Sequence, residues 1–427
     1  MIELSSSKQF SGLITVPSDK SISHRSAILN SVAFGEAEIK NFSNGDDCLS
    51  TLHILSDLGV NLNIDNNGDY LNINIIGQGY KGLSNPNTLL DAGNSGTTTR
   101  LMSGILSSLD FETTITGDNS LNSRPMKRII DPLTLMGAKI ISNNNKAPLT
   151  FKPSKLNGIT YKMNISSAQV KSCIMLAGLN SSSKTIIKQP SLSRDHTERM
   201  LKGMGAKIET NKNDIIIEPS KLNSIDLTIP GDISSAAFWI VGALIHPNSN
   251  LLLKNVGLNE LRTGIIDVLK DMGGNIYIEN HRIQANEPVG DIRVKSSKLV
   301  GTEISGKIIP RLIDEIPIII VAASTADGPT IIRNAEELRF KETDRLLAMS
   351  KFLDKSNIKH QLNEDGMEVN GNSDFIGGEF ESFDDHRIAM SIAISSIVAK
   401  NKTTINNHQV ASISYKNFYK HLELLKT

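Results

Sequence analysis

Helix-like stretches that stop on an apolar-Gly-small tripeptide recur along this chain, and they restrict its possible folds more than any other feature. The tripeptides are Leu58-Gly59-Val60, Met136-Gly137-Ala138, Met204-Gly205-Ala206 and Met272-Gly273-Gly274. After each comes a strand-turn-strand pattern, as in AKIISNNNKAPLTFKP and AKIETNKNDIIIEP. A weaker copy, SNIKHQLNEDGMEV, follows the helical pattern near 341–355. A glycine just past a helix supplies the left-handed backbone that residues with a Cβ resist. The Asn/Asp/Gly turns are those a β-hairpin needs. The spacing of roughly 70 residues exceeds that of a solenoid repeat and fits a βαβαββ unit used several times.

Length and charge narrow the field further. A chain of 427 residues exceeds one compact core and suits two domains. Lys+Arg and Asp+Glu are both 45, so the formal net charge is zero, which argues against a nucleic-acid binder working through a broad basic surface. The two cysteines, Cys48 and Cys173, fall in helical patterns, so no disulfide framework is expected and a reducing cytoplasm is the default. The N-terminal segment lacks the pattern of a signal or transit peptide, and no transmembrane helix is expected. The nine histidines form no HExxH and no metal-ligand cluster with cysteine, and no GxGxxG opens a helix, so neither metal nor dinucleotide cofactor is expected. Trp239, in AAFWIVGALI, reads as core.

Helices are expected to start at Ser21/Ser23, Asp46, Asn94–Thr97, Arg124, Ser166, Asp195, Asp232, Asn259, Asp314, Lys341 and Asp385. Most of these open on capping residues. If such ends converged, their free N–H groups and dipoles would receive anions.

Six segments carry candidate chemistry. In Pro17-Ser18-Asp19-Lys20-Ser21-Ile22-Ser23-His24-Arg25, a lysine at a helix mouth is joined by a hydroxyl and by an arginine one turn on. These are donors for phosphate or carboxylate. Gly93-Asn94-Ser95-Gly96-Thr97-Thr98-Thr99-Arg100 is a glycine-flanked hydroxyl cluster before an apolar helix, and it is not a P-loop. In Asn122-Ser123-Arg124-Pro125-Met126, Pro125 suits the first helical position and holds Arg124 at a helix entrance. Ser166-Ser167-Ala168-Gln169-Val170-Lys171-Ser172 offers hydroxyls and an amide. In Lys341-Glu342-Thr343-Asp344-Arg345, the two cations are expected to share one helix face beside Glu342. Asp384-Asp385-His386-Arg387 opens the last strong helix, and Asp314 opens IPIIIVAAS as either a cap or a general base. Each segment alone also reads as capping, a surface arginine or a solvated salt-bridge ladder, and for Lys341–Arg345 and Asp314 that plainer reading is the stronger one.

In this order, the motifs SDKSxxHR, GNSGTTxR, RPM, SAQVKS, IDEIP, KETDRL and DDHRxAM resemble the 5-enolpyruvylshikimate-3-phosphate synthase family of enolpyruvyl transferases, from about Val16 to about Val410. The resemblance implies an α/β fold of two domains, each from three βαβαββ units (an inside-out α/β barrel), with the active site in the interdomain cleft. It implies one discontinuous domain of residues 1–18 plus 231–427, a second of 19–230, and crossings near 18–20 and 229–232. The implied activity moves the enolpyruvyl group of phosphoenolpyruvate onto the 5-hydroxyl of shikimate 3-phosphate, a step toward chorismate and the aromatic amino acids.

The family pattern selects Lys20, Ser21, Arg25, Ser166, Ser167, Gln169, Ser193, Asp314 and Lys341 for shikimate 3-phosphate. It selects Lys20, Asn94, Gly96, Arg124, Gln169, Arg345 and Arg387 for phosphoenolpyruvate. Asp314 is the candidate base for the hydroxyl, and Glu342 with Lys20 the candidates for proton transfer at the methylene carbon. Gly96 leaves room beside phosphoenolpyruvate, so glyphosate is expected to inhibit as an analogue, and with no sign of a dimer seam the chain is expected to be a cytoplasmic monomer with no cofactor and no nucleic-acid or membrane partner.

Two positions depart from the pattern. Ser412 stands where many members have a lysine, and Glu337 where some have asparagine. The nearest alternative is the related transferase acting on UDP-N-acetylglucosamine, whose usual loop cysteine is missing from GDNSLNSRP. A non-catalytic anion-binding repeat protein is the other.

Overall fold

The apolar-Gly-small tripeptides do end helices. Gly59, Gly137, Gly205 and Gly273 take φ of 81°, 101°, 84° and 89°, directly after the helices Asp46–Asp57, Lys127–Leu135, His196–Gly203 and Gly264–Asp271 and their caps. Asn357, with φ 56°, does the same for the weaker copy after Arg345–Lys355. A strand pair follows each helix, such as Lys139–Asn143 with Lys146–Lys152 and Ile208–Asn211 with Asp214–Ile217, both antiparallel.

The computed structural model describes residues 1–284 and 286–426. Five of the six sheets among the described residues repeat one order. Leu90–Asp91 runs parallel to Thr113–Thr116, which pairs antiparallel with the second strand of the hairpin 139–152. The sheet built from Thr160–Lys162, Thr185–Lys188 and the hairpin 208–217 has the same order. So does the sheet of Glu303–Ile304, Pro329–Ile332 and the hairpin 360–370. This is the expected α/β architecture of small βαβαββ repeats.

The chain divides into two compact units. One comprises Met1–Pro17, Pro230–Arg282 and the chain from Pro288 onward; the other comprises Ser18–Ile229 with Ile283–Glu287. Each has its own apolar core. In each unit the first sheet borrows its leading strand from a distant part of the chain. Phe10–Thr15 lies parallel to Ser249–Gly257 in one, and Leu227–Thr228 lies parallel to Phe34–Ser43 in the other.

Several helices are apolar nearly all round and buried nearly all round, including Ile233–Ile245, Ile316–Thr325 and Ala168–Leu179. A helix without a polar face must be enclosed. The strands alternate instead, as in Tyr70–Gln78, with one face toward the helices and one toward solvent. Trp239 is fully buried, 4.9 Å from the Phe418 ring centroid, and donates its indole N–H to the Tyr415 hydroxyl. Cys48 and Cys173 are buried free thiols, and burial pushes the Cys48 thiol up to about 12. Among the described residues no helix is long and apolar enough to cross a membrane.

Some helix starts differ from expectation. The helix expected at Asn259 begins at Gly264, because the Asn259 side chain accepts from the Leu261 N–H and holds a turn there. The one expected at Arg124 begins at Lys127, and Arg124 instead ends the short helix Asn119–Ser123. The one expected at Lys341 begins at Arg345, capped by the Asp344 side chain on the Leu347 N–H.

Candidate functional site

The candidate binding residues are divided between the two units, with Lys20, Ser21, Arg25, Asn94, Gly96, Arg124, Ser166, Ser167, Gln169 and Ser193 in one and Asp314, Lys341, Glu342, Arg345 and Arg387 in the other. In the unit built on Ser18–Ile229, Asp19 caps the helix Lys20–Ser31. Lys20 leads that helix and pairs with Asp47 at the start of Asp46–Asp57. Arg25 is nearly fully buried and anchored through its whole guanidinium. Its Nε donates to Thr197 at 2.7 Å, one terminal nitrogen to Ser172 at 3.2 Å, and the other to the Ser21 carbonyl at 2.9 Å. The guanidinium is thus set by parts of three helices before any ligand arrives.

A second group in this unit surrounds Gly96. Ser95 caps the helix Gly96–Leu106 through the Thr98 N–H. A Cβ at Gly96 would stand 2.7 Å from one Arg100 nitrogen and 3.5 Å from one of Arg124, so glycine leaves space that both guanidinium groups border. Arg124 donates to the Asn94 side-chain oxygen at 2.6 Å. Gln169 donates to Thr97 at 2.9 Å and accepts from Arg100 at 2.8 Å. Close helix packing makes this possible, since a Cβ at Gly104 would meet the Cys173 carbonyl at 2.3 Å.

The serines are tied to the same scaffold. Ser167 caps Ala168–Leu179, Ser166 donates to the Ser191 carbonyl at 2.6 Å, and Ser193 donates to Gln189 at 3.0 Å. The Ser193 carbonyl accepts from Lys171, whose 2.6 Å ion pair with Glu198 is buried. A buried chain of side-chain contacts, His24 to Thr51 to Thr98 to Ser95, joins the Lys20 helix to the Gly96 helix. Burial lowers the His24 pKa to about 3, so its imidazole is neutral there.

In the other unit Asp314 lies in the turn Ile313–Glu315. Its Oδ1 is 3.4 Å from the Lys341 ammonium and 3.5 Å from Arg345. Lys341 and Arg345 do not share a helix face, as had been expected from their spacing, because Lys341 lies before the helix begins. They meet on the Asp314 carboxylate instead. Arg345, 2% exposed, also donates to Asp385 at 2.7 Å and to Glu342 at 2.6 Å. Its buried NH1 nitrogen makes no hydrogen bond among the described residues and lies 3.5 Å from Asp314 Oδ1.

Asp385 caps the helix His386–Ser395 through the Arg387 and Ile388 N–H groups. Two consecutive left-handed residues, Phe383 at φ 53° and Asp384 at φ 56°, turn the chain into that cap. Arg387 donates to the Asp314 carbonyl at 3.1 Å and lies 3.7 Å from the Glu315 carboxylate.

The charges settle one another. Burial pushes Glu342 toward the neutral acid, but Arg345, His386 and Lys341 outweigh it and hold the carboxyl well below its ordinary range. Asp385 is likewise held low against burial by Arg345. Arg345 is raised, its desolvation offset by Asp385, Glu342 and Asp314. Burial lowers His386 to about 4, so it is neutral near pH 7. The cluster therefore holds ionised carboxylates against three cations, an arrangement able to bind an anion and exchange a proton beside it.

The chain matches the family model for EPSP synthase (3-phosphoshikimate 1-carboxyvinyltransferase) over residues 4–422. The chain belongs to the EPSP synthase family. Curated 3-phosphoshikimate 1-carboxyvinyltransferases include one from a Thermoanaerobacter species, 48% identical over 99% of this chain and 100% of its own. One from Oceanobacillus iheyensis is 49% identical over 96% of each chain. The solved EPSP synthase of Acinetobacter baumannii is 40% identical and superposes with a TM-score of 0.90 over 99% of this chain and 97% of that one. The enolpyruvyl transferase NikO of Streptomyces tendae shares the fold at a TM-score of 0.80, with 16% identity over 99% of this chain and 96% of its own.

Within this EPSP synthase family chain, sequence reasoning missed Asp47, Thr197, Lys171, Glu198 and Glu315 as partners of the candidate residues. Buried charged side chains need partners, but a sequence does not say which. Ser412 lies exposed on a short turn, its hydroxyl donating to the Gln409 carbonyl. Among the described residues no group of His, Cys, Asp and Glu is placed to hold a metal ion.

Proposed function

We infer that this chain transfers the 1-carboxyvinyl group of phosphoenolpyruvate to the 5-hydroxyl of shikimate 3-phosphate and releases phosphate. The observation that carries this beyond family membership is the Asp314 carboxylate, held between Lys341 and Arg345 with Arg387 on its own backbone carbonyl. It puts one potential base among three cations.

Both substrates carry a phosphate and a carboxylate, roughly −2.5 to −3 charge each near neutral pH. At an effective dielectric near 20, one unit charge pair at 4 Å is worth about 4 kcal/mol. A chain of zero net charge must therefore gather its cations where the anions go. On this reading Lys20, Ser21, Arg25, Ser166, Ser167, Gln169, Ser193, Asp314 and Lys341 hold shikimate 3-phosphate. Lys20, Asn94, Gly96, Arg124, Gln169, Arg345 and Arg387 hold phosphoenolpyruvate.

The chemistry is addition followed by elimination. A proton is delivered to the methylene carbon, C2 takes on positive character, and the 5-oxygen attacks it as Asp314 accepts the hydroxyl proton. The resulting ketal expels phosphate by C–O cleavage while the new methyl group returns a proton to Glu342 or Lys20. In the ligand-free protein Glu342 is ionised by Arg345. An anion that engages Arg345 would release Glu342 to take up a proton. We assign the chain to the cytoplasm and to a monomeric state.

Product analysis tests the reading. Shikimate 3-phosphate plus phosphoenolpyruvate should give a product with vinyl proton resonances, and UDP-N-acetylglucosamine in place of shikimate 3-phosphate should give none. Vinyl ether formed on the nucleotide sugar alone would favour the related transferase.

A further inference from the structure

We propose that Glu315 is a positioning residue that fixes the Arg387 guanidinium for phosphoenolpyruvate, and that Ser234 and Arg262 hold Glu315 in turn. The inference rests on the assignment of Arg387 to phosphoenolpyruvate. Glu315 is the N-cap residue of the apolar helix Ile316–Thr325, but its side chain makes no capping hydrogen bond. Its side chain is 0% exposed. A carboxylate taken out of water must be paid for by nearby donors or cations.

Those partners form a line through one unit. The Ser234 hydroxyl donates to Glu315 Oε1. The same hydroxyl accepts from Arg262 at 2.8 Å, and Arg262, 3% exposed, is 3.0 Å from Asp232. On the other side, Oε1 lies 3.7 Å from NH1 of Arg387, and that nitrogen also donates to the Asp314 carbonyl at 3.1 Å. Both contacts fall on one nitrogen. Nε and NH2 make the remaining edge of the guanidinium, the two-pronged edge that matches a carboxylate or phosphate. Among the described residues that edge makes no hydrogen bond.

A carboxylate this close to an anion site also repels the anion. The two effects of Glu315 on phosphoenolpyruvate are opposite in sign and therefore separable. If Glu315 acts mainly by holding Arg387, Glu315→Gln weakens phosphoenolpyruvate binding. If it acts mainly by its charge, the same change strengthens binding.

The test is steady-state kinetics of the full-length wild type, Glu315→Gln and Ser234→Ala, with phosphoenolpyruvate and shikimate 3-phosphate varied in turn. The expected result for Glu315→Gln is a rise of about tenfold in KM for phosphoenolpyruvate, equivalent to ~1.4 kcal/mol. Its KM for shikimate 3-phosphate should stay within about twofold and kcat within about threefold. Ser234→Ala should shift KM the same way by a smaller factor, which keeps the test decisive if Glu315→Gln folds poorly. An unchanged or lowered KM for phosphoenolpyruvate in both variants of an active enzyme would overturn the inference and leave the functional reading standing. A wild type with no turnover would strike both together.

Discussion

Arg345 donates from Nε to the Asp385 carboxylate across 2.7 Å, and neither side chain is more than 2% exposed. The other oxygen of Asp385 accepts from the backbone N–H of Arg387. One carboxylate thus pairs with the Arg345 guanidinium and anchors the backbone of Arg387, the two arginines assigned to phosphoenolpyruvate in this unit. Asp385→Asn keeps a good capping side chain but removes the charge opposite Arg345. It should raise KM for phosphoenolpyruvate at least tenfold and destabilise the protein by about 2 kcal/mol, the loss of one charged hydrogen-bond partner of a buried cation that keeps Glu342 and Asp314. Kinetics and urea denaturation measure the two effects.

Asp314 is assigned the hydroxyl proton, and that role separates from binding. Asp314→Asn should leave the Kd of shikimate 3-phosphate within about threefold, while kcat falls by about a hundredfold or more. Calorimetry gives the first quantity and turnover the second. A variant with full activity would remove Asp314 from the base role.

Gly96 sits against two guanidinium groups. Gly96→Ala would place a methyl group 2.7 Å from an Arg100 nitrogen, and that nitrogen donates to Gln169. Arg100 can swing away only by giving up Gln169. KM for phosphoenolpyruvate should rise by about tenfold, ~1.4 kcal/mol. Glyphosate should inhibit the wild type in competition with phosphoenolpyruvate and inhibit Gly96→Ala less. Non-competitive inhibition of the wild type would contradict the placement.

Two buried histidines tie stability to pH. Burial lowers His24 to about 3 and His386 to about 4, from 6.5. The folded state keeps both neutral, whereas the unfolded chain takes up their protons below about pH 6.5. Their contribution is complete above that pH and is lost as pH falls toward 4, by about 1.4 kcal/mol per pH unit for each histidine. Urea midpoints from pH 7.5 to 4.5 measure this, and His24→Gln should make the decline shallower by one proton.

The repeat was legible because it is local. Gly59, Gly137, Gly205 and Gly273 each end a helix on their own neighbours, and the hairpins follow within a few residues. Helix starts were legible where the cap is unambiguous, as at Asp385. They were misplaced where a capping side chain serves a turn instead, as Asn259 does. At Lys341 the cap-forming residue of Lys341-Glu342-Thr343-Asp344 is Asp344, so the spacing of Lys341 and Arg345 misled. The site was legible as a list of residue types but not as a set of pairs. Arg345 meets Asp385 forty residues away, and Arg25 meets Thr197 at 2.7 Å across 172 residues. Such pairings depend on helix packing, for example of Gly104 against the Cys173 carbonyl.

Phosphate release from phosphoenolpyruvate, followed continuously in the wild type and in Asp314→Asn, decides whether the chain carries out this transfer with Asp314 as base. Release should occur only when shikimate 3-phosphate is also present, at a rate at least about a hundredfold lower in the variant. Equal release without shikimate 3-phosphate, or none with both substrates present, would contradict it.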